Sequence, residues 1–146
     1  MKSVSNLNQL QTALKPVMIG MVDKMAERVY EALNFFLQEY YNSYSPVYYR
    51  RTYEFLRSAV KVDAKAVGNK VVAYVYIDTN AMSDYYYGVS GEQVVRWANK
   101  GLHGGKRLGR GTPKVWDYTL KYTVGNDDLL KLALDYLQSK GFNVRR

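Results

Sequence analysis

The chain has no cysteine, one histidine and only three prolines among its 146 residues, and each shortage closes off a class of function. Without thiols there is no disulfide framework, no cysteine nucleophile and no thiolate zinc site. A lone imidazole cannot supply the second histidine that most histidine-based metal sites need. Long apolar runs are missing as well. No window approaches the roughly 20 consecutive apolar residues of a membrane-spanning helix, so a soluble protein with no membrane partner is expected. Met1 to Leu14 is rich in Asn, Gln and Ser and carries one Lys. It lacks the charged start and apolar stretch of a secretory signal, so the protein is expected to stay where it is made.

What is present is basic and rich in tyrosine. Lys and Arg total 21 against 13 Asp and Glu, a formal net charge of +8, which favours contact with nucleic acid or an acidic protein face. The excess is local: residues 1–45 balance four basic against four acidic side chains, while Arg96 to Lys114 holds six basic residues and no acidic one. Fifteen tyrosines stand against four phenylalanines. Compositional drift would produce that count, but Tyr also suits interfaces because it joins a large ring to a polar tip. The length fits one domain, residues 1–146, with 1–15 as an N-terminal arm.

Apolar residues from Met18 to Tyr40 recur at three- and four-residue steps, which predicts a long amphipathic helix. Pro16 suits the first turn of that helix, so Ser5 to Leu14 reads as a separate short helix or irregular arm. Asn42, Ser43 and Ser45-Pro46 end it, with a turn or short helix expected around Tyr48 to Arg57. Val60, Val62, Ala64 and Ala66 alternate with Lys61, Asp63 and Lys65, predicting a strand with the first set buried and the second wet. Lys70 to Asp78 is apolar on both faces, which predicts a central strand or one covered by helices. Gly68-Asn69 between them is a two-residue hairpin loop.

Ser90 with Gln93 forms a capping box for a short helix that stops at Gly101. Asn126, Asp127 and Asp128 start a last, well-buried helix that Lys140-Gly141 closes, and Phe142 to Arg146 adds a brief edge strand. The fold class is therefore α+β: a long N-terminal amphipathic helix and a C-terminal helix packed on a small antiparallel sheet with a hairpin at 59–78.

Catalytic chemistry finds little support. His103 lies in Gly101-Leu102-His103-Gly104-Gly105 with no histidine at metal spacing and no Gly-x-Ser-x-Gly elbow. A small nuclease or toxin using His103 is the remaining enzymatic reading. Gly105-Lys106 is followed by Arg107, not by the Ser or Thr that opens the helix of a phosphate-binding loop. Residues 100–117 instead read as a projecting basic, Gly-rich loop that touches nucleic acid or an acidic partner, or is simply solvated. Asp78, Asp84, Asp127 and Asp128 read as capping or surface carboxylates. No catalytic residue, cofactor or metal is expected.

The run Tyr44-Ser45-Pro46-Val47-Tyr48-Tyr49-Arg50-Arg51-Thr52-Tyr53-Glu54-Phe55-Leu56, after a long helix and before a hairpin, resembles the neck or tail-completion proteins of tailed bacteriophages. Trp97-Ala98-Asn99-Lys100-Gly101-Leu102-His103-Gly104-Gly105, ending in Trp116-Asp117, is similar to a second stretch of that family, and the resemblance spans roughly residues 20–140. One departure is Tyr53, where many members carry a small residue such as Gly. The resemblance implies a non-enzymatic virion protein, made in the host cytoplasm, that forms a homo-oligomeric ring at the head–tail junction around the DNA channel. Its partners would be copies of itself, other neck, portal-adaptor and tail proteins, and DNA without base preference. Tyr44, Pro46, Tyr48, Tyr49, Arg50, Arg51, Trp97, His103 and Trp116 are the expected subunit contacts. Lys100, Lys106, Arg107, Arg110 and Lys114 are the expected contacts to DNA or an acidic surface. A tail-terminator subunit and a sequence-nonspecific nucleic-acid-binding module are the alternatives.

Overall fold

The computed structural model describes residues 3–44, 53–82, 88–103 and 112–144, together with the backbone of 106–107. Its first helix, α1, runs unbroken over Leu7–Asn42. The expected break before Pro16 does not occur. Asn6 caps the helix, its side chain accepting from the Gln9 N–H at 2.9 Å, and the Gln9 side chain accepts from the Ser5 N–H at 2.8 Å. These bonds satisfy amide donors that the first turn leaves open. Pro16 sits on the exposed side of α1, where the helix can bend slightly to relieve the ring and water can bond the carbonyl that the missing N–H leaves open. The stop lies where expected: Ser43 donates its N–H to the Tyr40 carbonyl and its hydroxyl to that of Glu39.

Leu33, Phe36, Leu37, Tyr40 and Tyr41 carry the buried stripe of α1, and Phe55, Ala59, Met82, Ala98 and Val115 close the core around it. Strands β1 (Ala59–Val67) and β2 (Lys70–Ile77) pair antiparallel across Gly68-Asn69, with Gly68 at φ +61, the left-handed conformation that glycine adopts without steric cost. The alternation expected for β1 holds only past its middle. Val62 pairs with Tyr74 and Lys65 with Val72, so two residues of β1 oppose one of β2 in a bulge, which reverses the facing of every residue before it. Lys61 is thus turned toward α1, its side chain 12% exposed, and Val62 faces out. Nor is β2 a central strand. Among the described residues the sheet has these two strands alone; Val75 and Ile77 pack on the core, and Tyr74 and Tyr76 lie exposed on the other face.

Ser90 caps α2 (Gly91–Asn99) through the Gln93 N–H, and Gly101 past its end has φ +67. Two short strands follow, β3 (Leu102–His103) and β4 (Lys106–Arg107), paired with each other. Helix α3, Val115–Lys121, occupies residues expected to end the projecting loop. Its buried residues, Val115 and Thr119, continue past its end to Thr123 at the same four-residue step. Each threonine hydroxyl donates to the carbonyl one turn back at 2.7 Å, so no polar atom is stranded. Helix α4, Asp128–Ser139, opens on the Asn126 side chain, which accepts from the Asp128 N–H. It closes on Gly141, with the Phe142 N–H bonded to the Leu137 carbonyl. It is not well buried: none of its residues is fully covered, because it packs chiefly on α1. Residues 142–144 form no strand.

Candidate interaction site

Tyr40 and Tyr41 lie in the last turn of α1 and Tyr44 follows just past its C-cap; Tyr44, four residues after Tyr40, lies against both rings, with centroids 5.5 Å from Tyr40 and 6.0 Å from Tyr41. Phe55 packs edge-on against Tyr40 at 5.8 Å, Tyr53 stacks on Tyr41 at 5.9 Å, and His103 stacks on Tyr44 with centroids 3.9 Å apart. Tyr53 has φ +60. The backbone there adopts the conformation that a glycine would take without strain, and the Tyr41 stack accompanies the tyrosine that stands in its place.

The base of the basic segment is tied to this cluster. The Tyr40 hydroxyl donates to the Leu102 carbonyl at 2.6 Å, and the Asn99 side chain accepts from the Trp116 N–H at 3.3 Å. Lys100 follows α2 and Lys114 precedes α3, both exposed. A side chain at Gly101 would come within 3.8 Å of the Lys114 stem, so the fold brings the two ends of the segment together. Trp97 is half-buried, and Trp116 packs against the core from α3. Pro46, Tyr48, Tyr49, Arg50, Arg51 and Arg110 lie outside the described residues, and Lys106 and Arg107 are placed by backbone alone. Among the described residues no cluster of His, Asp and Glu is suited to a metal ion. A hollow of about 400 Å³ between α1 and α4, lined by Lys24, Asp128, Lys131, Leu132, Asp135, Tyr136 and Ser139, does not include His103.

Sequence reasoning missed a second surface. Phe35, Leu120, Tyr122 and Val124 are all exposed; Phe36 touches the rings of Phe35 and Tyr122 at 5.1 and 5.5 Å, and the Lys121 ammonium lies 5.5 Å from the Tyr122 centroid. The signal that would have found α3 is the four-residue spacing of Val115, Thr119 and Thr123, hidden because two of the three are polar.

A third feature is electrostatic. The Lys61 ammonium reaches Asp23 at 3.0 Å, Glu27 at 3.3 Å and Asp63 at 3.0 Å, and Asp23 also accepts the Ala64 N–H at 2.9 Å, an amide within the bulge. That backbone bond first, and Lys61 second, hold the Asp23 carboxyl below its ordinary value of 3.8; the Asp23 and Asp63 carboxylates hold Lys61 above its ordinary 10.5. The Asp23 contribution is therefore complete above its unfolded value and fades as pH falls through the lower folded one. The Lys61 contribution is complete below 10.5 and fades only as pH rises through the higher folded value. Asp23→Asn is expected to destabilise the chain at pH 7 by about 1 kcal/mol, since the carboxylate is partly solvated. Thermal melting from pH 7 to pH 3 should show the gap narrowing below pH 4; a gap constant across that range would contradict the assignment.

No helix among the described residues is long and apolar enough to cross a membrane. A family model described as YomN matches residues 6–139. No curated protein and no solved structure matches significantly.

Proposed function

The chain belongs to the YomN family, a phage-type protein family, and on that premise we propose that it is a structural virion subunit, a neck or tail-completion protein that forms a ring around the DNA channel and carries out no catalysis. The observation that carries this reading is the mounting of the basic segment. Its ends are tied by Tyr40 to Leu102 and by Asn99 to Trp116, so Lys100 and Lys114 stand on a hydrogen-bonded base beside the aromatic cluster. A ring subunit needs such a core with segments that reach beyond it. Its partners are copies of itself, neighbouring neck, portal-adaptor and tail proteins, and DNA held through phosphates regardless of sequence.

Deleting residues 104–111 tests this directly. The cut removes β4 and its short pairing with β3 but spares Leu102 and His103. With a short Gly-Ser link in place of 104–111, the chain is expected to stay folded and lose about 1–2 kcal/mol, the worth of those few backbone bonds, since closing a loop of different length costs little. Negative-stain images of the deletion chain mixed with portal or tail tubes should show loss of the added ring density that the parent gives. Unchanged ring density would remove the basic segment from the function. The net charge of +8 favours a second reading, a free nucleic-acid-binding module. Tight binding of DNA by the isolated monomer, weakening steeply between 50 and 200 mM salt, would select it.

A further inference from the structure

We propose that β1 has two competing registers on β2, and that Asp23 and Glu27 of α1 hold it in the bulged one. From the Gly68-Asn69 turn the ladder starts regularly, with Val67 opposite Lys70, Ala66 opposite Val71 and Lys65 opposite Val72. Past the bulge it runs one place out of step: Val62 lies opposite Tyr74, Lys61 opposite Val75, Val60 opposite Tyr76 and Ala59 opposite Ile77. Val75 and Ile77 pack on the core. The positions of β1 across from them are therefore filled by a lysine and an alanine, while Val62 stands 36% exposed.

The same turn without the bulge would carry the ladder on in step, setting Val62 opposite Val75 and Val60 opposite Ile77. Both valines would join the core face, and Lys61 would pass to the outer face opposite Tyr76, because a slip of one residue reverses every side chain it moves. Asp63 would go with Lys61, since residues two apart share a face of a strand, so their contact, 3.0 Å in the bulged form, survives the move. The apolar pattern within 59–67 thus favours the regular register, and what opposes it comes from α1. Asp23 accepts the Ala64 N–H in the bulge at 2.9 Å, and the Lys61 ammonium reaches Asp23 and Glu27 at 3.0 and 3.3 Å. Without those two carboxylates Lys61 is a covered charge whose remaining partner, Asp63, is 88% exposed. Slipping returns that charge to water.

The slip reaches the interaction site. In the bulged form the Asp78 N–H binds the Ser58 carbonyl at 2.8 Å, and the segment before β1 carries Tyr53 against Tyr41 and Phe55 against Tyr40. In the regular form Asp78 would face Ala59, and the residue released from the bulge lengthens the connection from Phe55 to the sheet by one. Tyr53, at φ +60, has strain to lose when that connection slackens. Carboxylates in the middle of α1 and rings at its end are coupled in this way through one strand with two positions.

Asp23→Ala combined with Glu27→Ala removes the hold, and alanine suits a helix at both places. In isotope-labelled chains, cross-strand backbone Overhauser contacts between Val62 and Tyr74 and between Val60 and Tyr76 report the bulged register. Contacts between Val62 and Val75 and between Val60 and Ile77 report the regular one. The parent should show the first set. In the double variant that set should weaken about tenfold and the second appear, the sign of a shifted two-state population. The Val62 methyl groups should also become less sensitive to a soluble gadolinium chelate, a change that loss of the carboxylates alone would not produce. A double variant that keeps the first set overturns the proposal, because β1 and β2 then fix the bulge by themselves. Loss of cooperative melting overturns it as well, since a second register that cannot hold the fold is no alternative. Oligomeric state does not enter the readout, so the ring reading survives either result.

Discussion

Phe36→Asp is expected to abolish cooperative melting, whereas Phe35→Asp, one residue earlier, should cost about 1 kcal/mol or less. Phe36 is 9% exposed and its ring meets Tyr118 edge-on at 5.7 Å and Tyr122 at 5.5 Å. Loss of a buried aromatic side chain costs about 3–5 kcal/mol, and an unpaired buried carboxylate adds several more. That sum approaches the whole stability of an ordinary domain, about 5–15 kcal/mol. Phe35 points to solvent and contributes chiefly an edge-to-face contact, about 1 kcal/mol in strength. Far-UV circular dichroism melting of the two variants checks both numbers. A cooperative transition in Phe36→Asp within a few degrees of the parent would show that the core is not organised around this ring.

The next largest effect belongs to Tyr40. Its ring is 1% exposed and touches Tyr41, Tyr44 and Phe55, so Tyr40→Ala is expected to cost about 3–5 kcal/mol. Tyr40→Phe keeps the ring and removes the hydroxyl that reaches the Leu102 carbonyl. Its expected cost is about 1–3 kcal/mol, that of a part-buried acceptor losing a donor. The two variants also differ in what they say about function. If Tyr40 fastens the base of the basic segment, Tyr40→Phe should speed tryptic cleavage between Lys100 and Lys114 several-fold while the rest of the chain stays resistant. Unchanged cleavage would mean that the segment is held in place without this bond.

Much of the fold was legible because it rests on local rules. The stripe from Met18 to Tyr40, the Gly68-Asn69 turn, the Ser90 cap and the Gly141 stop each follow from side chains a few residues apart. Other readings failed, most of them where distant contacts intervened. The phase of β1 depends on a bulge that Asp23, from α1, binds through the Ala64 amide, and no pattern within 59–67 contains that partner. The leucines of α4 read as buried because their number is high, yet α4 packs chiefly on α1 and leaves Leu130 exposed. Pro16 read as a boundary, but on the solvent side of a long, capped helix the lost bond and the ring's crowding of the preceding turn are outweighed by the packing of the residues that follow.

For the interaction site the division is similar. Lys100 and Lys114 stood out by charge, and Tyr44, Trp97 and His103 were candidates through the stretches that carry the resemblance; the stack of His103 on Tyr44 and the approach of Lys114 to Gly101 came only with the fold. The Phe35–Tyr122 patch was invisible beforehand because its members come from α1 and from the end of α3.

By itself, then, the sequence determined the class of the elements, the turn positions and the basic character of 96–114, since period, caps and charge act over a few residues. Tertiary structure decided which face of β1 is inside, how much of α4 is covered and which aromatic rings remain exposed. Those properties depend on what arrives from far along the chain, where burial and ion pairing outweigh the local pattern.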